Sequence, residues 1–212
     1  MDSKRFWIIL AVVIVGLVSL FTFTGKKDSG SNANARSSSN YYGKEDSPIT
    51  VTEFVDFQCE ACYGYYPYVK QVKEQYKDKV RFQIRYFPIS SGHQFAVMAA
   101  RSAEAAALQG KFWEMHDMIF EGQKMWEQEQ NPQQTFDQYA ETIGLDMAKF
   151  KTDRESNEVM ATINKDLDEV KRIGGNGTPT FAINGSKVEN PGASAEKISQ
   201  MIDKALAEAE KK

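Results

Sequence analysis

The only two cysteines of this 212-residue chain, Cys59 and Cys62, are separated by two residues where a strand-like segment gives way to a helix-like one. Residues 49–57 before them are rich in β-branched and aromatic side chains, which is typical of a buried strand. The pattern therefore predicts that Cys59 lies at a helix N-terminus. Unpaired backbone N–H groups and the helix dipole stabilise a thiolate there, and the thiolate is the form that attacks disulfides.

Three other interpretations of the cysteine pair stay open. A structural disulfide between Cys59 and Cys62 would close a loop so small that it removes little entropy from the unfolded chain. A zinc site would need two more ligands, and the remaining candidates, His93 and His116, are too far apart for the usual close-spaced pair. We expect both histidines to be helix-end or packing residues rather than catalysts. Two inert core cysteines would be unusual in an exposed turn. A redox-active dithiol is the interpretation that the sequence favours.

Composition argues against one class of partner. The chain is 42% hydrophobic, which is enough for one domain with a core, and its formal net charge is -3. It has no basic stripe interleaved with aromatic residues, so the electrostatic footprint of a nucleic-acid binder is missing. We expect a single catalytic domain with no nucleic-acid partner.

The N-terminal part of the chain is predicted to be a membrane anchor and a tether. Residues 6–24 carry no charge over a length close to the roughly 20 residues that span a bilayer. Bulky Phe21 and Phe23 stand where a signal peptidase needs small residues, so we expect an uncleaved transmembrane anchor after a cytoplasmic stub at residues 1–5. Residues 25–47 are mostly small and polar, which predicts a flexible linker.

The orientation of this anchor follows from chemistry and not from charge. Basic residues flank both ends of the apolar segment, so the positive-inside rule does not decide which end is cytoplasmic. A dithiol that works on protein disulfides suits an oxidising compartment. We therefore expect a single-pass protein of the cell membrane with its catalytic domain outside the cytoplasm.

Residues 48–212 are predicted to form one α/β domain. Apolar residues recur at helical spacing after Cys62, and residues 80–87 then read as a second strand. A strand, a helix and a strand in this order predict a right-handed crossover and a parallel pair. The pattern of residues 93–173 is helical throughout, which predicts a helical insertion.

The C-terminal part of the domain is predicted to be a hairpin and a helix. Asn184-Gly185 lies between two short strand-like runs and is a strong hairpin signal. Ser194 is expected to cap a last helix that ends near Glu210.

This order of elements, with Cys-x-x-Cys at the first helix, resembles the thioredoxin fold, and the helical insertion resembles the DsbA family of disulfide oxidoreductases. Cys59 and Cys62 match the active-site dithiol of that family, and Glu53, six positions before Cys59, matches its buried acid. Pro67 matches the helix-kinking proline, and Thr178-Pro179 matches the loop that carries a cis-proline. The implied fold is a thioredoxin fold with a central mixed sheet and a helical insertion, preceded by a single transmembrane helix.

The resemblance also implies site roles. Cys59 is expected to be the nucleophile, Cys62 the resolving cysteine and Glu53 a buried acid and base for Cys62. Thr178 and Pro179 are expected to bind an extended substrate segment beside the sulfur atoms, and the Thr178 hydroxyl could donate to the Cys59 thiolate. An ordinary edge-facing acid at residue 53 and an ordinary trans proline at residue 179 remain the alternatives.

The implied function is disulfide formation in reduced or misoxidised exported proteins. The resemblance implies a monomer that a quinone-linked membrane partner reoxidises, with no metal and no cofactor other than the redox-active disulfide of Cys59 and Cys62. Glu60 beside Cys59 should disfavour its thiolate and make the protein a milder oxidant than the archetype of the family. A disulfide reductase or isomerase of the same fold, and a non-catalytic peptide-binding module or chaperone, are the alternatives.

Overall fold

The computed structural model of the chain describes residues 36–211. No helix within that range is long and apolar enough to cross a membrane. The predicted stub at residues 1–5, the anchor at residues 6–24 and the first part of the linker, residues 25–35, lie outside the described residues.

The centre of the domain is a five-stranded mixed sheet with the strand order β1-β3-β2-β4-β5. β2 and β3 are parallel, as the strand-helix-strand order predicts, and the other neighbouring pairs are antiparallel. The predicted mixed sheet is therefore confirmed. The strands are β1 Asn40–Gly43, β2 Thr50–Val55, β3 Arg81–Tyr86, β4 Thr180–Ile183 and β5 Ser186–Lys187.

Eight helices are described between residues 36 and 211, and six of them, α2 to α7, form the helical insertion between β3 and β4. The predicted insertion at residues 93–173 is confirmed. The helices are α1 Glu60–Tyr76, α2 Ala96–Ala107, α3 Phe112–Glu121, α4 Gln123–Trp126, α5 Gln133–Thr142, α6 Met147–Glu155, α7 Asn157–Arg172 and α8 Ala195–Ala209.

The two faces of the sheet are covered by different helices. Val51 of β2 and Phe82 of β3 are register partners and pack in one apolar cluster with α1 and α8. Phe54 has the opposite orientation because side chains alternate along a strand, and it packs with Val170 of α7. Both faces of β2 are therefore covered by helices.

The helical insertion shares its core with the end of β2. Val55 and Phe57 belong to the same buried cluster as Met115 and Trp126 of the insertion. The ring of Phe57 lies 4.9 Å from that of Phe120, centroid to centroid. The insertion therefore packs directly against the turn that leads to Cys59.

The predictions for the C-terminal elements are confirmed. β4 and β5 pair as a hairpin, with positive φ angles of 49° at Asn184 and 76° at Gly185. These angles suit the tight turn that Asn-Gly favours. The Ser194 side chain accepts a hydrogen bond from Lys197 N and caps α8.

The predicted end of the flexible linker at residue 47 is wrong. β1 lies within that segment and pairs antiparallel with β3. Ser38 and Asn40 are 3% and 5% exposed, and Ser38 N donates to the buried Asp166 carboxylate at 3.2 Å. The segment has few aliphatic side chains, but it gains order through hydrogen bonds that the edge of β3 and a buried acid offer. Composition alone does not reveal such partners.

Gly43→Ala should test whether this segment is docked. Gly43 has a φ of 89°, and an added Cβ would lie 2.6 Å from Val80 O. We expect the free energy of unfolding to fall by about 2–4 kcal/mol, since the left-handed conformation and the close approach both penalise a side chain. Urea unfolding of the full chain measures this loss.

Gly110→Ala is the control for backbone strain alone. Gly110 has a φ of 73°, but an added Cβ would meet no atom within 4 Å. The loss at Gly110 should be about 1 kcal/mol and smaller than the loss at Gly43. An unchanged unfolding midpoint for Gly43→Ala would mean that residues 36–47 are a free linker after all.

Candidate active site

The two cysteines lie at the start of α1, directly after β2. Cys59 is the N-cap residue of α1, with a φ of −74° and a ψ of 125°, and its side chain makes no capping hydrogen bond. Cys62 lies one turn deeper and is 1% exposed, whereas Cys59 is partly exposed. The predicted position of the pair at a helix N-terminus is confirmed.

The Cys59 thiol is unusually acidic in this position. A side-chain hydrogen bond with Cys62 lowers the pKa of Cys59 to about 5, although burial opposes the shift. The backbone N–H groups of Cys62 and Ala61 lower the pKa of Cys59 further. Near pH 7 Cys59 is therefore a thiolate, which is the nucleophilic form.

Cys62 has the opposite character. Burial raises the pKa of Cys62 well above its ordinary value, and interactions with the Cys59 side chain and the Glu53 charge raise it further. Cys62 is thus a neutral thiol when the pair is reduced. One sulfur atom is prepared to attack or leave as an anion, and the other to hold a proton.

Glu53 lies on β2 between the paired strands β3 and β4, not at an edge of the sheet. It is 6% exposed, and burial raises the pKa of its carboxyl to about 8. Glu53 and Cys62 line the same narrow cavity between the sheet, α1 and α3. The structure therefore places an acid that burial keeps protonated at the cavity that Cys62 also lines. The other side chains of this cavity include Tyr66, Lys73, Trp113 and His116.

A buried lysine also lines this cavity. Lys73 is 6% exposed, and its ammonium lies 4.2 Å from the ring centroid of Tyr42 and 4.0 Å from that of Trp113. Burial lowers the pKa of Lys73. His116 is buried among aromatic rings in the same wall, which agrees with the packing role expected for it.

The loop before β4 brings Thr178 to the exposed sulfur. The Thr178–Pro179 peptide bond is cis. The Cys59 thiol donates to Thr178 O at 3.5 Å, while Thr178 Oγ1 is buried and has no hydrogen-bond partner among the described residues. The Thr178 side chain also lowers the pKa of Cys59, because its hydroxyl favours the ionised form of the sulfur by donating to it.

Asp56 holds the turn before α1 together. Its buried carboxylate accepts hydrogen bonds from Gln58 N at 2.8 Å and Ile89 N at 2.7 Å, and it pairs with His93 Nδ1 at 2.7 Å. Gln58 Oε1 in turn accepts from Phe95 N at 2.7 Å. His93 thus binds to the turn as a structural partner, in line with the non-catalytic role expected for it.

Glu60 points away from the dithiol. It is paired with Lys124 of α4, Nζ to Oε1 at 3.0 Å, and its side chain is 84% exposed. Glu60 is not among the main causes of the shift in the Cys59 pKa. Its expected effect on the redox potential stays a prediction.

Two buried polar residues of the site were missed by sequence reasoning, Lys73 and Gln123. Gln123 Nε2 donates to the carbonyl groups of Phe57 at 2.8 Å and Cys59 at 3.3 Å. Helical spacing could have indicated it, because Gln123 lies four residues after Ile119 and three before Trp126, and both are fully buried. A polar residue at an apolar position of a helix is the signal.

The zinc alternative finds no further ligands in the described range. Between residues 36 and 211, no group of three or more His, Cys, Asp or Glu side chains is placed to hold a metal ion.

Comparison with known proteins agrees with this geometry. A family model described as thioredoxin matches residues 36–204. The chain belongs to the thioredoxin family. Its fold, with the insertion between β3 and β4 that the resemblance implied, is that of DsbA-type structures.

Two full-length similarities support the assignment to this family. The chain is 29% identical over 203 residues to a probable disulfide bond formation protein D of Bacillus anthracis, covering 93% of this chain and 92% of that protein. The crystal structure of a thioredoxin-like oxidoreductase from Silicibacter pomeroyi is 26% identical, with a TM-score of 0.64, and the match covers 85% of this chain and 98% of that one.

A third similarity is to part of a much longer protein. The chain is 35% identical over 167 residues to a Na(+)/H(+) antiporter of Salinispora tropica, NhaA 3. The match covers 79% of this thioredoxin-family chain but only 24% of the antiporter. The chain thus spans about a quarter of the length of the antiporters it matches.

Glu53→Gln should change how stability depends on pH. Burial raises the pKa of Glu53 from 4.5 to about 8, so the folded chain holds this proton more tightly than the unfolded chain does. Glu53 therefore stabilises the fold fully below about pH 4.5, and that stability is lost as the pH rises to about 8. The variant should lack this loss, which amounts to roughly 3–5 kcal/mol at about 1.4 kcal/mol per pKa unit.

The measurement is the free energy of unfolding of the reduced chain from pH 4 to pH 9, compared with the wild type. Glu104→Gln is the matched control, because burial raises the pKa of Glu104 to about 7 at a distance from the dithiol. Glu104→Gln should remove pH dependence from the free energy of unfolding only up to about pH 7, the pKa that burial gives Glu104. Parallel profiles for Glu53→Gln and the wild type would show that Glu53 is ionised in the folded chain.

Proposed function

We propose that this chain is a thiol-disulfide oxidoreductase in which Cys59 is the nucleophile and Cys62 the resolving cysteine. The observation that carries the proposal is the asymmetry of the pair. The pKa of partly exposed Cys59 is lowered to about 5, while that of buried Cys62 is raised. Two inert or merely structural cysteines have no need of this difference.

The reaction begins with the oxidised Cys59–Cys62 pair. A client thiolate attacks Cys59 Sγ, the bond between the two cysteine sulfurs breaks, and Cys62 leaves with the electron pair and takes up a proton. A second client thiolate then attacks the client sulfur of the mixed disulfide, and Cys59 leaves as a thiolate. The client loses two electrons and gains a disulfide, and the enzyme is reduced. A leaving group with a low pKa favours this last step.

Glu53 supplies the proton that Cys62 needs. It is neutral near pH 7 because burial raises its pKa to about 8, and it lines the same cavity as Cys62. Glu53 gives its proton to Cys62 as that sulfur leaves and is then reprotonated from solvent, and it passes the Cys62 proton back to solvent when the dithiol is reoxidised. No other carboxyl group lies on a central strand beside the pair in the described range.

Thr178 and Pro179 form the client-binding edge. Thr178 O is already within hydrogen-bonding reach of Cys59 Sγ at 3.5 Å, so a peptide laid along this loop would bring its own sulfur to Cys59. The Thr178 hydroxyl is available to stabilise the departing Cys59 thiolate.

The net direction we propose is oxidation of the client. Stabilising the Cys59 thiolate stabilises the reduced enzyme, and a stabilised reduced form makes a dithiol protein an oxidant. The clients are reduced or misoxidised exported proteins, and a quinone-linked membrane protein reoxidises the monomeric enzyme. The uncharged segment at residues 6–24 supports a membrane-tethered enzyme that acts outside the cytoplasm.

The decisive test is oxidation of a reduced, unfolded protein by the oxidised full chain. We expect one client disulfide per enzyme molecule and no oxidation by Cys59→Ala. Reduced Cys62→Ala, mixed with a disulfide-bonded client, should form a trapped mixed disulfide, because the Cys59 thiolate attacks the client disulfide and no resolving cysteine remains. A reductase or isomerase would instead act in its reduced form on a disulfide-bonded or scrambled client. A binding module or chaperone would keep its full activity in Cys59→Ala, which would contradict the proposal.

Glu60 and Lys124 should shift the redox equilibrium in opposite directions. Glu60→His removes the acid next to Cys59 and adds a protonatable ring, so it should make the protein more oxidising. Lys124→Met leaves Glu60 without its partner and should make the protein less oxidising. Each change in the equilibrium constant with glutathione should be roughly two- to fivefold, as expected for exposed charges.

The equilibrium is measured from the reduced fraction of the full chain in glutathione buffers of known ratio. Lys149→Met is the matched control, because it breaks an exposed pair with Asp153 that lies on α6. It should leave the equilibrium unchanged. If Glu60→His also leaves it unchanged, the residues between the cysteines do not tune this enzyme through charge.

A further inference from the structure

Gln123, the first residue of α4, is an amide side chain in a fully buried position. It is 0% exposed, and its Nε2 donates to Phe57 O at 2.8 Å and to Cys59 O at 3.3 Å. We refer to these two hydrogen bonds as the Gln123 clamp. They join the helical insertion to the turn that carries the dithiol, more than 60 positions away in the chain.

The clamp holds the backbone on both sides of Cys59. Phe57 O belongs to the peptide unit that precedes Gln58, and Cys59 O accepts the first hydrogen bond of α1, from Tyr63 N at 3.0 Å. The N–H groups that follow in this turn, those of Ala61 and Cys62, lower the pKa of the Cys59 thiol. Their direction depends on how the Cys59 peptide is oriented, which the clamp fixes.

The acceptor atom of the Gln123 amide indicates that the donor atom is the reason for a glutamine at this position. Gln123 Oε1 is buried and has no hydrogen-bond partner among the described residues. A buried acceptor without a partner destabilises the fold, and a Met of similar size would fill the space without that cost. Only the two hydrogen bonds that Nε2 donates, to Phe57 O and Cys59 O, offset this loss of stability.

We propose that Gln123 is a positioning residue that holds the first turn of α1 in the geometry that favours the Cys59 thiolate. A second effect acts in the same direction. A donor at Cys59 O offsets the negative end of a carbonyl dipole that belongs to the same residue as the sulfur. The inference rests on the proposed role of Cys59 as the nucleophile, and it gives the helical insertion a part in setting thiol reactivity.

The test is the pH dependence of alkylation of Cys59 in the reduced full chain. Gln123→Met removes the donors at nearly constant volume, and we expect the midpoint to rise by about one pH unit. The equilibrium constant with glutathione at pH 7 should become about tenfold less oxidising, or about 30 mV. The other titratable groups near the sulfur stay in place, namely Cys62 and Glu60 on α1, Glu53 on β2 and Lys124 on α4.

Gln83→Met is the matched control. Gln83 is also a buried glutamine, 4% exposed, with hydrogen bonds to Ser38 O at 3.0 Å and from Thr52 Oγ1 at 3.2 Å. This variant should lose stability but keep the alkylation midpoint of the wild type. Gln123→Glu should raise the midpoint less than Gln123→Met does, because a carboxyl group at this fully buried position stays protonated and its O–H can still donate to one of the two carbonyls.

Two results would overturn the inference. One is an alkylation midpoint in Gln123→Met that equals the wild-type midpoint, when the wild-type midpoint itself lies well below that of a free cysteine. The other needs no variant: in the wild type, the side-chain N–H₂ signals of Gln123 should exchange slowly with D₂O and shift with the Cys59 titration, and fast exchange without a shift would contradict the clamp. A wild-type midpoint near that of a free cysteine would instead contradict the proposed function itself.

Discussion

The site depends on one contact, the approach of backbone N–H groups at the start of α1 to the sulfur of Cys59. It exists because β2 ends against the helical insertion and the chain must turn at once into a helix, with Cys59 as its N-cap. Hydrogen bonds hold this turn in place. The Asp56 carboxylate accepts from Gln58 N, and the Gln58 side chain accepts from Phe95 N. Gln123 Nε2 donates to Phe57 O.

The fold separates the two sulfur atoms by environment rather than by distance. Cys59 faces the cis-proline loop and solvent, where a negative charge is stabilised by donors. Cys62 faces a closed cavity that it shares with Glu53, where burial favours neutral groups. Hydrogen-bond donors at Cys59 and burial at Cys62 and Glu53 therefore give the site an anion and an acid near neutral pH.

The sequence predicted much of this arrangement, because the strongest local signals coincide with the site. The β-branched and aromatic composition of residues 49–57, the Cys-x-x-Cys spacing and the Asn184-Gly185 turn each act over a few residues, and the structure confirms all three. What the sequence could not show depends on distant partners. β1 is ordered by the edge of β3 and by Asp166, and Gln123 matters only because α4 packs beside Phe57.

The pair between Glu60 and Lys124 has a consequence for how such enzymes diversify. Both side chains lie at the surface and neither belongs to the core, so substitutions at these two positions leave packing intact. Under the tuning that we propose for Glu60 and Lys124, a lineage can adjust its redox equilibrium one surface charge at a time, while Cys62, Glu53 and Gln123 stay fixed.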